Sequence, residues 1–227
     1  QAPYPVISYK QAMLEFGCDK PDLRNPLRIM DLTDFFQKCT FRPFLGRTVR
    51  AIKVHAEMSK GFHEKLLSFA TGLGMGGLGY LEVAEDLSYK GPIDKFIPEE
   101  LKPELAQMAG LQARDTIFFI ADKEERANYY AGQIRNELGQ KLDLIEKNAF
   151  RFCYVNDFPM YELDPETKQL GFTHNPFSMP QGGLEALENE NPLDILAYQY
   201  DLVCNGVELS SGAVRNHDPE IMVKAFN

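Results

Sequence analysis

An excess of basic charge is the first thing this chain lacks. Its 24 lysines and arginines face 33 aspartates and glutamates, a formal net charge of −9. A polypeptide of that sign has no general means of gripping nucleic acid by neutralising phosphates, so any such contact must be local. Cysteine is scarce: Cys18, Cys39, Cys153 and Cys204 are widely scattered and form no C-x-x-C pair. That spacing argues against a zinc site or a disulfide framework. It suits a reducing compartment, and the expected location is cytoplasmic. Long apolar runs are missing too. The longest strongly apolar stretch, Thr116 to Ala121, is far too short to span a membrane. No signal peptide, internal repeat or low-complexity tract is visible. The chain starts at Gln1 without a methionine and stops at Asn227 just inside an apparent helix, so it reads as a piece of a longer protein.

What is present is ordinary globular material. The 227 residues, 44% apolar and 25% charged, suffice for one large domain or two small ones. Residues 1–30 open with a helix-like stretch, Tyr9 to Phe16, and continue into the loop GCDKPDLRNP. Residues 31–147 alternate in texture. TVRAIKVHA, GYLEVAED and DTIFFIAD read as strands. SKGFHEKLLSFATGLG, PEELKPELAQMAGL and KEERANYYAGQIRNELGQKL read as helices, the last with Ala127, Tyr130, Ala131, Ile134 and Leu138 on one stripe. From about Phe150 the pattern changes to RFCYV, FPMYEL and KQLGFTH, short strands read as an antiparallel meander. The expected class is therefore α+β, in segments 1–30, 31–147 and 148–227. A final helix starts at His217-Asp218-Pro219-Glu220, where Asp218 can cap and the proline suits the first turn.

The segment YDLVCNGVELSSGAVRNHDPE holds the sharpest pattern. Asn205-Gly206 is a strong signal for a two-residue type I′ turn, which needs φ > 0 at both central positions. The register that follows pairs Cys204 with Val207, Val203 with Glu208, Leu202 with Leu209, and Asp201 with Ser210. Leu202, Cys204, Val207 and Leu209 then share an apolar face, expected to pack inward. Asp201 and Glu208 become diagonal neighbours on the other, solvent-facing side, close enough to converge on a shared cation, although the pattern alone favours a half-exposed hairpin whose acids simply meet water.

Other candidates are weaker. GLGMGGLG holds G-x-G-x-x-G twice, yet the order is helix, glycines, strand, whereas a dinucleotide fingerprint runs strand, glycines, helix. These glycines read as a helix cap and a turn. His55 and His63 read as surface or satisfied core residues, and His217 as part of a capping region. His174, in THNPFSMP, ends a strand before two prolines that fix the following loop.

Three segments carry a family resemblance: GCDKPDLRNP at 17–26, NDFPMYELD to LGFTHNPFSMP at 156–180, and YDLVCNGVELSSGAVRNHDPEIM at 200–222. In residues, order and spacing they closely resemble the bacterial-type aspartyl-tRNA synthetases, of class II. Residues 31–147 resemble, more weakly, the GAD insertion domain of that family. The resemblance implies a GAD-type α/β sandwich plus part of a class II antiparallel catalytic sheet. It implies Asp201 and Glu208 as metal ligands for Mg2+, with Glu208 also at the ATP phosphates. His174 and Arg215 are implied as binders of L-aspartate, a natural bidentate task for guanidinium. No side chain is implied as a covalent catalyst. The implied partners are L-aspartate, ATP and tRNA-Asp, with a homodimeric parent. Many relatives have two adjacent histidines where this chain has His174-Asn175, and three glycines where it has Ser210-Ser211-Gly212. That variant, with HNPFSMPQGG, resembles the alphaproteobacterial branch, whose members often charge tRNA-Asn as well. Class II motifs 1, 2 and 3 and an anticodon-binding domain are not found in these residues, so the chain alone is expected to be inactive. The competing reading is a non-catalytic GAD-type module, as in tRNA-dependent amidotransferases, and a paralogue making another acyl-adenylate stands behind it.

One expectation joins the two lines. Glu208 and Arg215 are seven residues apart, so strict alternation would send them to opposite faces. A shared site demands one β-bulge between them, expected at Gly212.

Overall fold

Within DTIFFIAD the run from Ile117 to Ala121 is apolar without alternation, so the strand it forms needs a cover on both faces. The structure, a computed structural model, describes residues 2–164 and 166–227. In chain order the first strands are β1 (Val6–Ser8), β2 (Ile29–Asp31), β3 (Thr48–Val54), β4 (Gly79–Val83), β5 (Tyr89–Lys90) and β6 (Thr116–Asp122). The later ones are β7 (Phe152–Pro159), β8 (Tyr161–Leu163), β9 (Leu170–Phe172), β10 (Leu196–Cys204) and β11 (Val207–Ala213). The helices are α1 (Tyr9–Phe16), α2 (Thr33–Phe36), α3 (Lys60–Gly72), α4 (Lys102–Ala109), α5 (Glu124–Lys141), α6 (Gly183–Asn189) and α7 (Pro219–Phe226). The fold is mixed α+β, and the chain divides into two units. One comprises Gln1–Ala12, Asp19–Leu23 and Ala149–Asn227; the other comprises Met13–Cys18 and Arg24–Asn148.

The second unit is built on an antiparallel sheet in the order β2-β3-β6-β4-β5. Along β6, Phe118 and Ile120 join a cluster with Leu66, Ala70, Ile134 and Leu138 of α3 and α5. Ile117 and Phe119 point the other way, into a cluster with Phe35, Phe36, Leu105 and Ala109 of α2 and α4. Helices thus cover both faces, which fits the unbroken apolar run of β6 from Ile117 to Ala121. Ser59 caps α3 by accepting a hydrogen bond from the Phe62 N–H at 3.2 Å. The glycines that follow do what their order implies: the Met75 N–H bonds back to the Ala70 carbonyl, Gly74 takes φ +95°, and β4 begins at Gly79. His55 and His63 each meet a carboxylate, Asp115 at 2.7 Å and Glu82 at 2.8 Å, and His63 stacks on Tyr80.

The first unit carries the sheet β1-β7-β10-β11. It is not the simple meander that the sequence suggests. RFCYV and the start of FPMYEL merge into β7, which pairs antiparallel with β10, while β8 and β9 form a separate ribbon. The ribbon turn is tied by Asp164, whose Oδ1 accepts from the N–H groups of Glu166 and Thr167. β1 adds in parallel to β7, Val6 beside Tyr154. A parallel pair needs a long crossover, and here all the residues between Ser8 and Phe152 serve as one. No local pattern could have announced that pairing. α7 is capped by Asp218, whose carboxylate accepts from the N–H groups of Glu220 and Ile221, and is tied down where the Tyr161 hydroxyl donates to the Ala225 carbonyl.

Candidate functional site

The β10–β11 hairpin positions the acidic residues. Asn205 and Gly206 have φ of +54° and +81°, as the type I′ turn requires. Asn205 is also anchored: its Oδ1 accepts from the Arg151 N–H, and its Nδ2 donates to the Ala149 carbonyl. The first two pairs follow the expected register, Cys204 with Val207 and Val203 with Glu208. The register then shifts. Leu202 faces Ser210, Asp201 faces Ser211 and Tyr200 faces Gly212, leaving Leu209 as the extra residue. A bulge therefore does lie between Glu208 and Arg215, but at Leu209 and not at Gly212. Beyond it, Ser211 falls on the face of Asp201 and Glu208, and Arg215, four residues on, returns to that face by alternation.

Gly212 answers a different demand. It sits opposite Tyr200, and a Cβ there would meet the phenol ring at 2.5 Å. The position needs glycine for space, not for a left-handed backbone.

Two further expectations fail. Val207 and Leu209 do not pack inward; they are 59% and 55% exposed, because β11 is the edge strand and among the described residues nothing covers that side. Asp201 is not solvent-facing either. It is 4% exposed, on the inner of the two antiparallel strands, while Glu208 on the edge strand remains open.

The structure nonetheless gathers Asp201, Glu208 and His174 around one cavity of about 280 Å3, along with Asp19, Lys20, Asn175, Gln199 and Ser211. Lys20 is the residue that sequence reading missed. Its ammonium lies 2.6 Å from Asp19 Oδ2 and 3.3 Å from Glu208 Oε2. Burial alone would lower the Lys20 pKa, but hydrogen bonds and charge from Asp19 and Glu208 outweigh it and raise the value. The available signal was the charge alternation of DKPD beside an acid pair. Asp201 is affected in the opposite sense to a paired acid. Burial first, and then the charge of Glu208, push its carboxyl up to about 6 against the pull of Lys20. Among the described residues, its buried Oδ1 has no hydrogen-bond partner.

His174 packs its ring edge-on against Phe158, with centroids 5.0 Å apart, and near Tyr9. Its neighbour Asn175 turns to the loop backbone, Oδ1 accepting from the Phe177 N–H at 2.9 Å, while the Asn175 carbonyl accepts from Ser178. That turn delivers Ser178 to an antiparallel bridge with Arg215. Arg215 is exposed, outside the cavity lining, and among the described residues its guanidinium has no hydrogen bond or ion pair. Among the described residues, no three His, Cys, Asp or Glu side chains are grouped to hold a metal by themselves. Asp201 and Glu208 are two, one bearing an orphaned oxygen. Two carboxylates with the remaining positions filled by water and phosphate are a usual donor set for Mg2+.

A family model described as tRNA synthetases class II (D, K and N) matches residues 1–227. The chain belongs to that class II synthetase family. Among similar class II synthetases, the aspartate–tRNA(Asp/Asn) ligase of Ehrlichia chaffeensis is 51% identical over 231 residues, covering 99% of this chain and 39% of that protein. The ligases so named from Zymomonas mobilis and Rickettsia bellii are 51% and 49% identical over 232 and 237 residues. They match 99% and 100% of this chain and, in both cases, 39% of their own length. The chain thus spans about two-fifths of the length of the synthetases it matches.

Proposed function

We propose that the full-length protein is an aspartate–tRNA ligase. It activates L-aspartate with ATP to aspartyl-adenylate and passes the aspartyl group to tRNA-Asp. The relatives' names extend the acceptor to tRNA-Asn, in line with the Ser210-Ser211-Gly212 variant. In this reading Asp201 and Glu208 hold Mg2+, Glu208 serves the ATP phosphates, and His174 and Arg215 receive the aspartate. Bound Mg2+ supplies charge neutralisation for the phosphates. The protein's part is to position the reactants and to balance their charge. Lys20 neutralises Glu208 while no phosphate is bound. Residues 31–147 are read as a GAD-type insertion domain, supported by the separate antiparallel sheet with helices on both faces. The parent acts as a homodimer by family resemblance.

The observation that carries this reading is the convergence of Asp201, Glu208 and His174 on one polar cavity, with a buried Asp201 oxygen that has no hydrogen-bond partner among the described residues. A non-catalytic interaction module has no use for that arrangement. The test is Glu208→Gln in the full-length protein, read by aspartate-dependent ATP–pyrophosphate exchange. The KM for ATP should rise by roughly tenfold or more, with the KM for aspartate near its starting value. Equal losses for both substrates overturn the assignment.

A further inference from the structure

A second cavity, of about 620 Å3, lies wholly within the unit that contains Arg24–Asn148. Its volume is in the range of small-molecule sites, which run roughly 300–1,000 Å3. Phe44, Ile93 and Phe119 contribute buried core surface to it. Phe41 and Phe96, half-buried, pack their rings against each other, centroids 4.5 Å apart, and so form one aromatic block on the wall. The lining is thus mostly apolar, with several aromatic rings among aliphatic side chains and glycines.

Two cations break that character. Arg47 and Lys95 both line the cavity and are exposed. Among the described residues neither is in an ion pair, although acids outnumber bases by 33 to 24 in this chain. The Lys95 ammonium lies over the Phe96 ring, 5.0 Å from its centroid. The acid on the lining, Asp122, is already engaged: its carboxylate accepts from the Lys123 N–H and faces Arg126 at 3.5 Å. The glycine stretch that cannot be a dinucleotide fingerprint forms another part of the wall. At Gly76 and Gly77 a Cβ would meet nothing within 4 Å, and among the described residues neither N–H has a hydrogen-bond partner. An apolar pocket with two unpaired cations and free backbone donors is complementary to one kind of occupant.

We propose that this cavity binds a small aromatic anion, its flat apolar body on the phenylalanine wall and its carboxylate, sulfonate or phosphate head held by Arg47 and Lys95. The inference is independent of the aminoacylation reading, since no residue is shared between the two cavities.

The test uses 8-anilinonaphthalene-1-sulfonate and its uncharged counterpart N-phenyl-1-naphthylamine as probes on the 227-residue chain. The sulfonate should saturate one site, with amide shift changes clustered on Gly76 to Gly79, Phe41 and Phe96. The uncharged probe should bind the same site roughly tenfold more weakly. In the double variant R47A and K95A the sulfonate should fall to the affinity of the uncharged probe, whose own binding should not change and so reports an intact pocket. Shift changes located elsewhere, no saturable binding, or equal affinity of the two probes for the unaltered chain would each overturn the proposal. The last comparison needs no variant to fold.

Discussion

Because Asp201 is buried beside Glu208, its carboxyl holds a proton up to about pH 6, whereas in the unfolded chain it titrates near 3.8. The native state therefore binds the extra proton between those values, and stability falls as pH rises through that window. The contribution is complete below about 3.8 and lost above about 6. Compared with Asp201→Asn, the unaltered chain should lose roughly 2–6 °C in Tm between about pH 4 and pH 7, measured without added divalent cation. A parallel pH course for both proteins would show that Asp201 is not strained. Gly212 supports a second residue-level prediction. Gly212→Ala drives a methyl into the half-exposed end of the Tyr200 ring, which must swing aside, and should cost about 0.5–1.5 kcal/mol in urea unfolding. In a Tyr200→Ala background the same change should cost little, and an undiminished cost there would refute the steric account. Both effects were invisible in the sequence, because Tyr200 and Gly212 meet only once the bulge at Leu209 has set the register.

At the scale of elements, hairpin and helix ends were legible and the bulge position was not. Asn205-Gly206 and Asp218-Pro219 act through groups two or three residues away, so local sequence specifies them. Asp218→Ala removes both cap hydrogen bonds of α7 and should cost about 1 kcal/mol, read from urea midpoints. The bulge is set by side-chain fit across two strands, a longer-range matter. Its consequence for the site is parity. Deleting Leu209 leaves the pairs Val203–Glu208 and Leu202–Ser210 adjacent, and Glu208 and Arg215 become an even six residues apart on the same face. The full-length protein carrying that deletion should keep measurable ATP–pyrophosphate exchange. Complete loss in a variant that still folds would break the link between the bulge and a shared site.

For the molecule as a whole, the second unit extends beyond the textural change near residue 31. Arg135 of α5, 1% exposed, donates from Nε to the Leu27 carbonyl at 2.7 Å and from Nη2 to the Asn25 carbonyl at 2.9 Å. Asn25 returns a hydrogen bond from Nδ2 to the Arg135 carbonyl. A piece comprising residues 31–147 forfeits those partners and leaves a guanidinium buried without them. A piece comprising residues 13–148 should unfold in one cooperative urea transition and exceed the shorter one by about 3 kcal/mol or more. Equal stability of the two would mean that the Asn25–Arg135 network contributes nothing.

Sequence alone determined what neighbours along the chain decide: the type I′ turn, the caps of α3 and α7, the amphipathic stripe of α5, and the motifs that place the chain among class II synthetases. Periodicity and capping act within a few residues, so they survive being read in one dimension. Tertiary structure decided what partners distant in sequence impose. Lys20 reaches Glu208 across 188 positions, and β1 joins β7 in parallel only after a crossover from Ser8 to Phe152. The burial that makes Asp201 a weak acid comes from its place on β10, between β7 and β11. A carboxylate in a sequence has an ordinary pKa; its desolvation and its neighbours' charges exist only once the strands are paired.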